Sequence, residues 1–454
     1  MIGWQETRSL LEKTLGFSSA DETEATLLGR DEGLTRYANN VIHQHVAETN
    51  RYLIVRAVVG RSVGVAVTND LTDEGLEHVV EQATRIANQR PEQPDFPGLP
   101  APVPVPEVEA FDETTAAYSP LDRAGPVVEL CGLAQAQSCI ASGAFRTGVR
   151  EYGVANSRGV LVYHPVTIAD LTTVVMTADS SGFATDASWQ VDQMDVVALG
   201  REAIDKARRS RDPQSLEPGV YPVVLEPYAT HDLLATLSLA AGATFVQEGR
   251  SWMSGRQGES LMSPQVSIWD DGLDPRGWPL PFDCEGIPRR RVDVVRQGVV
   301  SDVVYDRERA LEDEAAESTG HALPAANPFN PWLNAARFGP IPLHVFMATG
   351  ESSLEEMVAE IDRGLYVTRF WYTRTVHPRE AVVTGMTRDG TFLIEDGELA
   401  GPVRNLRFTQ SYTEALAGVK AVGRELRRVW NDPGIISAPA LRLDAFDFTG
   451  ATEF

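Results

Sequence analysis

Between Arg90 and Pro120 the chain reads RPEQPDFPGLPAPVPVPEVEAFDETTAAYSP. Each proline fixes φ and lacks a backbone donor, so this stretch excludes a helix interior and a central strand and favours an extended run. Phe96, Leu99 and Phe111 lie within it and need cover, which predicts a strap laid along a folded surface. The chain then divides into a unit at residues 1–90, a linker at 91–120, a second unit at 121–215 and a long remainder at 216–454.

Ahead of the strap, WQETRSLLEKTLG reads as an amphipathic helix with Leu10, Leu11 and Leu15 inward. A strand is expected near Glu24 to Leu28, followed by Val- and Ile-rich antiparallel strands broken at Asn39-Asn40, Gly60 and Gly64. Thr72 caps a helix with Leu76, Val79, Val80, Ala83 and Ile86 on one face. Behind the strap we expect a helix from Asp122 to Ala141 and strands over Ala144 to Glu151, Gly153 to Asn156, Val160 to His164 and Ile168 to Ala178. A helix from Met194 to Arg209 closes this unit. The order of strand, turn and helix in SVGVAVTNDLTDEGLEHVVEQATRIA returns in SSGFATDASWQVDQMDVVALGREAIDKA, which suggests an internal duplication.

From Gly219 onward the pattern changes to short strands separated by Gly, Pro and Asp turns. Hairpins are expected at Arg296-Gln297-Gly298, Arg388-Asp389-Gly390 and Asp396-Gly397, and helices over His231 to Phe245, Ser353 to Ile361 and Ser411 to Val429. The expected fold class is α+β, an N-terminal α/β region followed by a β-rich C-terminal domain.

The 64 acidic against 40 basic residues give a formal charge of −24, a field that repels phosphate backbones. The basic run Arg289-Arg290-Arg291 is short and flanked by Asp283, Glu285 and Asp293, so no nucleic-acid role is expected. No apolar run is long enough for a bilayer and no leader pattern opens the chain, so the expectation is a cytoplasmic protein without a membrane partner. Cys131, Cys139 and Cys284 form no CxxC pair and read as buried thiols.

Several groups invite a chemical reading. Asp283 and Glu285 flank Cys284 and are candidates for substrate binding; they could also work as an acid/base pair, against the simpler reading of a turn fixed by carboxylates. His43 and His45 share a strand face but lack a third ligand. The GRSVG run at Gly60 to Gly64 has the serine-hydrolase spacing, yet a strand follows where a helix is required. Tyr366, Phe370, Trp371 and Tyr372 are either core or the wall of a peptide groove, with Tyr366 and Trp371 as substrate-binding candidates.

Taken in order, LTRYANN, GVAVTND, GRSWMSGRQGE, the Asp270-Asp271 turn, FDCEG at Phe282 to Gly286, QGVVSDVVYD, Ser318-Thr319-Gly320, DRGLYVT and EDGELAGPVRNLRFTQS resemble the TldD/PmbA family. These proteins pair as two related subunits of a zinc metallopeptidase. In the zinc-bearing subunit a helix carries His-Glu-x-x-x-His, with a further Cys ligand near the C-terminus. Here the resemblance lays that motif on Ala235, Thr236 and Ala240, the nearby His231 has no second His within five positions, and the last cysteine is Cys284. The resemblance therefore implies a PmbA/TldE-like subunit with no metal or cofactor of its own and no catalytic residue, zinc being supplied by a TldD-like partner that acts on peptides or unfolded segments. The run after GLYVT and His321 depart from the family pattern. Two other readings stay open: a non-enzymatic peptide-binding homodimer, and an independent hydrolase using His43, His45 or the Asp283/Glu285 turn.

Overall fold

The computed structural model describes residues 1–313 and 317–452. The N-terminal half runs α1 (Trp4–Gly16), β1 (Glu22–Ala38), β2 (Val41–Val59), β3 (Ser62–Thr68), α2 (Asp73–Gln89), α3 (Glu113–Ala116), α4 (Pro120–Ala136), β4 (Ile140–Asn156), β5 (Leu161–Met176), β6 (Ser181–Ser188) and α5 (Val196–Arg209). All six strands join one antiparallel sheet in the order β3-β2-β1-β4-β5-β6. A helix, three strands and a second helix thus occur twice, and the two copies meet at β1 and β4.

Local chemistry sets the boundaries. Thr72 accepts a hydrogen bond from the Gly75 amide, and Asp73 and Glu74 occupy the positive first turn of α2. Ser119 and Asp122 form a capping box, with Pro120 in the first turn of α4. Asn39 and Asn40 both take positive φ, 53° and 63°, as the tight turn between β1 and β2 requires. The shorter strands expected after the strap merge into β4 and β5. Pro165 is tolerated inside β5 because β6 pairs with it only from Ala169 onward, leaving an unpaired side at the proline.

Gly64, expected to break a strand, instead lies inside β3, where it lets α2 approach closely. A Cβ there would stand 2.1 Å from the Ala83 carbonyl oxygen, and one at Gly182 in β6 would stand 2.1 Å from that of Ala203 in α5. The equivalent helix of each copy rests on the equivalent glycine, a structural echo behind the sequence echo. The proline-rich strap crosses this unit in extended form: the Leu99 amide donates to Glu22 Oε2 at 2.6 Å, Asn156 Nδ2 donates to the Pro100 carbonyl, and Thr167 N donates to that of Ala110. Leu99 is buried, while Phe96 and Phe111 are half-buried.

The C-terminal half runs β7 (Gly219–Leu225), α6 (Pro227–Leu239), α7 (Ala243–Gln247), β8 (Ile268–Asp270), β9 (Val292–Arg296), β10 (Val299–Val300), α8 (Arg307–Leu311), α9 (Ala335–Phe338), β11 (His344–Met347), α10 (Leu354–Ala359), β12 (Arg363–His377), β13 (Val382–Glu395), β14 (Glu398–Pro402), β15 (Leu406–Ser411), α11 (Tyr412–Ala417), β16 (Val419–Asn431) and β17 (Gly434–Ala451). Strands β17, β15, β13, β12 and β7 close on themselves, since β7 pairs with both β12 and β17. Phe370, Phe408, Phe446 and Phe448 pack together in the core of this closed sheet, with ring centroids 4.6–5.3 Å apart. Leu233, Leu234 and Leu237 of α6 join the same core.

Three expectations change here. The helix expected over His231 to Phe245 is two helices, α6 and α7, separated near Gly242, whose Cβ would meet the Pro340 carbonyl at 2.0 Å. The helix expected over Ser411 to Val429 ends at Ala417, and β16 takes the rest because Val419, Val422, Val429 and Trp430 find strand partners on β17. Arg388-Asp389-Gly390 is a bulge within β13, placing Asp389 and Gly390 opposite Thr368, while Gln297-Gly298 and Asp396-Gly397 do turn hairpins. Substituting Gly64→Ala or Gly182→Ala should each cost about 1–3 kcal/mol in urea unfolding. Gly132→Ala, on an open face of α4 with nothing within 4 Å, should be neutral or stabilising.

Candidate functional site

One face of the six-stranded sheet carries the helices and the other meets the C-terminal domain, and at the β5/β6 end of that seam lies a cleft of about 560 Å³. Its first wall comes from Thr172, Phe183 and Thr185; its second from Tyr228, His231 and Asp232 in the first turns of α6 and from Arg369 to Arg374 on β12. Arg369 lies over the Phe183 ring at 3.9 Å and the Trp371 ring at 4.9 Å, and Phe183 packs edge-on against Tyr228 at 5.3 Å. Asp389, in the β13 bulge, pairs with Arg369 and accepts from Ser181 of the sheet, fixing the two walls together. Asp232 is spoken for: Tyr412 Oη donates to it at 2.6 Å and Thr373 Oγ1 at 2.9 Å. Among the described residues His231 Nε2 has no hydrogen-bond partner, and burial lowers the imidazole to about 4, so it is neutral at pH 7.

The backbone along this wall is open. β12 pairs with β13 with irregularities at Thr368, Tyr372–Thr373 and Val376, and with β7 only over Leu365–Val367, so among the described residues no strand pairs with the other side of residues 369–377. Trp371 and Tyr372 are 46% and 66% exposed, and Tyr372 holds a left-handed φ of 58°, which breaks the alternation and turns both rings outward.

Tyr366, the other aromatic candidate, does not share this cleft. It lies beside Glu226 at a charged network in which Lys206 Nζ donates to Glu226 at 2.6 Å and to Glu202 at 2.8 Å. Tyr228 Oη and Arg427 also donate to Glu202, and burial with these neighbouring carboxylates raises the Tyr366 hydroxyl well above its usual range. Phe370 is core. Tyr366 and Trp371 therefore line two clefts with Tyr228 common to both.

Asp283 and Glu285 are buried and serve different tasks. Asp283 Oδ1 accepts the Glu285 and Ile287 amides, and Oδ2 the Ala322 amide at 2.9 Å, which fixes the turn. Glu285 reaches across the seam to Arg56, whose Nη2 donates to it at 3.0 Å and to Glu24 at 2.9 Å. His43 and His45 are exposed on β2, His45 beside Thr35 Oγ1. Gly60 and Arg61 form the β2–β3 turn, and Ser62 donates to the Arg90 carbonyl. His321, a departure noted from the family resemblance, is fully buried against Asp270 at 2.8 Å. Cys131 and Cys139 are buried free thiols and Cys284 is partly covered. Arg290 and Arg291 are exposed whereas Arg289 is buried, so the arginine run forms no surface patch.

A zinc ion is not fitted by the residues at the aligned positions. Ala235, Thr236 and Ala240 lie half-buried along α6 with no imidazole, thiolate or carboxylate among them, and Asp232 nearby is already engaged. Among the described residues no group of three or more His, Cys, Asp and Glu is gathered to hold a metal. Sequence reasoning missed Arg369, Asp232, Tyr228 and the Lys206 network, because four separate stretches supply them and no spacing links those stretches.

Burial raises Glu24 and Asp306 to about 7, and burial together with the Glu285 charge pushes Asp283 upward. Carboxyls raised in the folded chain contribute stability below their ordinary range and lose it as pH climbs through about 7. Thermal melting followed by circular dichroism should therefore show the melting temperature falling between pH 5 and 8, with a shallower fall in Glu24→Gln.

Three family models cover the chain: PmbA/TldA metallopeptidase domain 1 at residues 30–87, the central domain at 99–211 and the C-terminal domain at 218–450. A metalloprotease of Methanothermobacter thermautotrophicus is 25% identical over 281 residues, 60% of each chain. A metalloprotease TldD homolog of Haemophilus influenzae is 23% identical over 269 residues, 56% of this chain and 53% of that one. The matched stretches thus span less than two thirds of these relatives. The fold is shared with the crystal structure of TldE from Thermococcus kodakarensis, at a TM-score of 0.87 and 22% identity over 99% of this chain and all of the other. The chain belongs to the PmbA/TldD metallopeptidase family.

Proposed function

We propose that this chain is the zinc-free, TldE-like subunit of a cytoplasmic two-subunit metallopeptidase that acts on small peptides or unfolded segments. A zinc-bearing TldD-like partner supplies the metal and the base. The observation that carries the reading is the free edge of β12 beside the aromatic cleft. An extended chain has unpaired donors and acceptors every second residue, and residues 369–371 and 374–377 offer short complementary runs on either side of the break at Tyr372, with Trp371 and Tyr372 as apolar contacts. The role of this subunit is to admit and align the chain.

The donor set on α6 supports the division of labour, since methyl and hydroxyl groups stand where the resemblance puts ligands and base. Among the described residues no helix is long and apolar enough to cross a membrane.

The purified chain alone should leave a denatured polypeptide uncut. With a zinc-bearing TldD-like relative added, cleavage should appear and be abolished by a chelator. Trp371→Ala combined with Tyr372→Ala should weaken binding of an extended peptide by about tenfold or more in fluorescence anisotropy. Chelator-sensitive cleavage by the chain alone would overturn the reading, and peptide binding with no cleavage under any pairing would favour a binding homodimer.

A further inference from the structure

Arg289 is only 4% exposed, yet among the described residues its Nε and Nη1 find no hydrogen-bond partner. The acids around it are committed elsewhere. Asp283 spends both oxygens on the backbone amides of Glu285, Ile287 and Ala322. Asp270 accepts His321 Nε2 at 2.8 Å and the Leu343 and His344 amides, each at 2.7 Å. Both act on Arg289 through space, without a hydrogen bond to it. His344 packs against the same Gly272 as the arginine stem, and burial lowers it to about 3, so it is neutral. A guanidinium taken out of water with no hydrogen-bonded carboxylate among the described residues is costly, which is a reason to look for what completes it.

Arg289 lines a cavity between β1, β4 and the turn at Phe282 to Arg289. The walls are mainly apolar, with Leu28, Val154, Phe282, Leu323 and Phe329 among them. The second cation on the wall, Arg30, is drawn aside by Asp432 at 3.6 Å and by the Phe329 ring at 4.1 Å. The space is about 50 Å³. Since a water-sized group needs roughly 10–15 Å³ on this measure, it accommodates a head of three heavy atoms and a short tail.

We propose that this cavity binds a small monocarboxylate, its oxygens paired with the Arg289 guanidinium and its short apolar tail against Leu28, Val154 and Phe282. A carboxylate oxygen suits a guanidinium N–H left without a partner, and the apolar wall suits a tail. Asp270 and Asp283 beside the arginine disfavour a dianion such as phosphate. The carboxylate is either that of a free short-chain acid or the C-terminus of a peptide. This site is separate from the β12 cleft and stands whether or not the peptide reading does.

The test is isothermal titration and thermal unfolding of the full chain with isobutyrate, isobutyramide, inorganic phosphate, and acetyl-glycyl-valine as free acid and as amide. Isobutyrate should bind saturably and raise the melting temperature, while isobutyramide and phosphate do neither. Arg289→Met should weaken isobutyrate binding by about tenfold or more, the scale expected for a lost charge-assisted hydrogen bond. Leu28→Phe, which fills the cavity and keeps the arginine, should do the same and decides the matter if Arg289→Met fails to fold. Binding of the peptide acid but not its amide identifies a chain terminus as a ligand; binding of isobutyrate alone identifies a free acid. No saturable response to either acid, an equal response to phosphate or isobutyramide, or undiminished binding by Leu28→Phe overturns the proposal.

Discussion

The structure depends on charge buried along the seam where the N-terminal sheet meets the C-terminal domain. Arg150 is fully buried, donating to Glu32 at 2.6 Å and Asp432 at 2.8 Å while lying over Trp430 at 4.8 Å. Arg56 joins Glu24 to Glu285, Lys206 joins Glu202 to Glu226, and Arg428 reaches Asp186. Buried pairs of this kind add little over an apolar contact, but removing one member leaves the other charged and unsolvated. They therefore hold the two halves in one relative placement more than they add net stability.

That placement is what makes both cavities. The cleft needs Phe183 on the sheet to sit against Arg369 and Tyr228 on the other domain, a contact fixed by the Ser181–Asp389 hydrogen bond. The Arg289 cavity needs β1 and β4 to lie over the Phe282 turn, and Glu285 on that turn is tied to Arg56. Neither side alone contains either space.

Much of the fold was legible because the local signals were strong. The Thr72 cap, the Asn39-Asn40 turn, the Pro-rich strap and the order of elements on both sides of it were all read from residue chemistry that acts within a few positions. The errors fell where partners at long range decide. Val419 to Trp430 has helix-compatible residues but becomes β16 because β17 is beside it, and Arg388-Asp389-Gly390 looks like a turn but is a bulge opposite Thr368. At the candidate site, Trp371 lies exposed in the β12 cleft and Tyr366 lies by the Lys206 network, because two residues five positions apart on one strand fall on opposite faces.

By itself the sequence determined the strap, the capped helices, the β-rich second half and the family resemblance, all carried by short-range constraints on φ, by hydrophobic period and by ordered motifs. Only the tertiary structure decided which charges are paired across the seam, that β7 closes the sheet onto β17, and that, among the described residues, one side of β12 beyond Val367 lacks a strand partner and the buried Arg289 lacks a hydrogen-bonded one. Those outcomes depend on residues far apart in the chain meeting in space, and no spacing along the sequence records such a meeting.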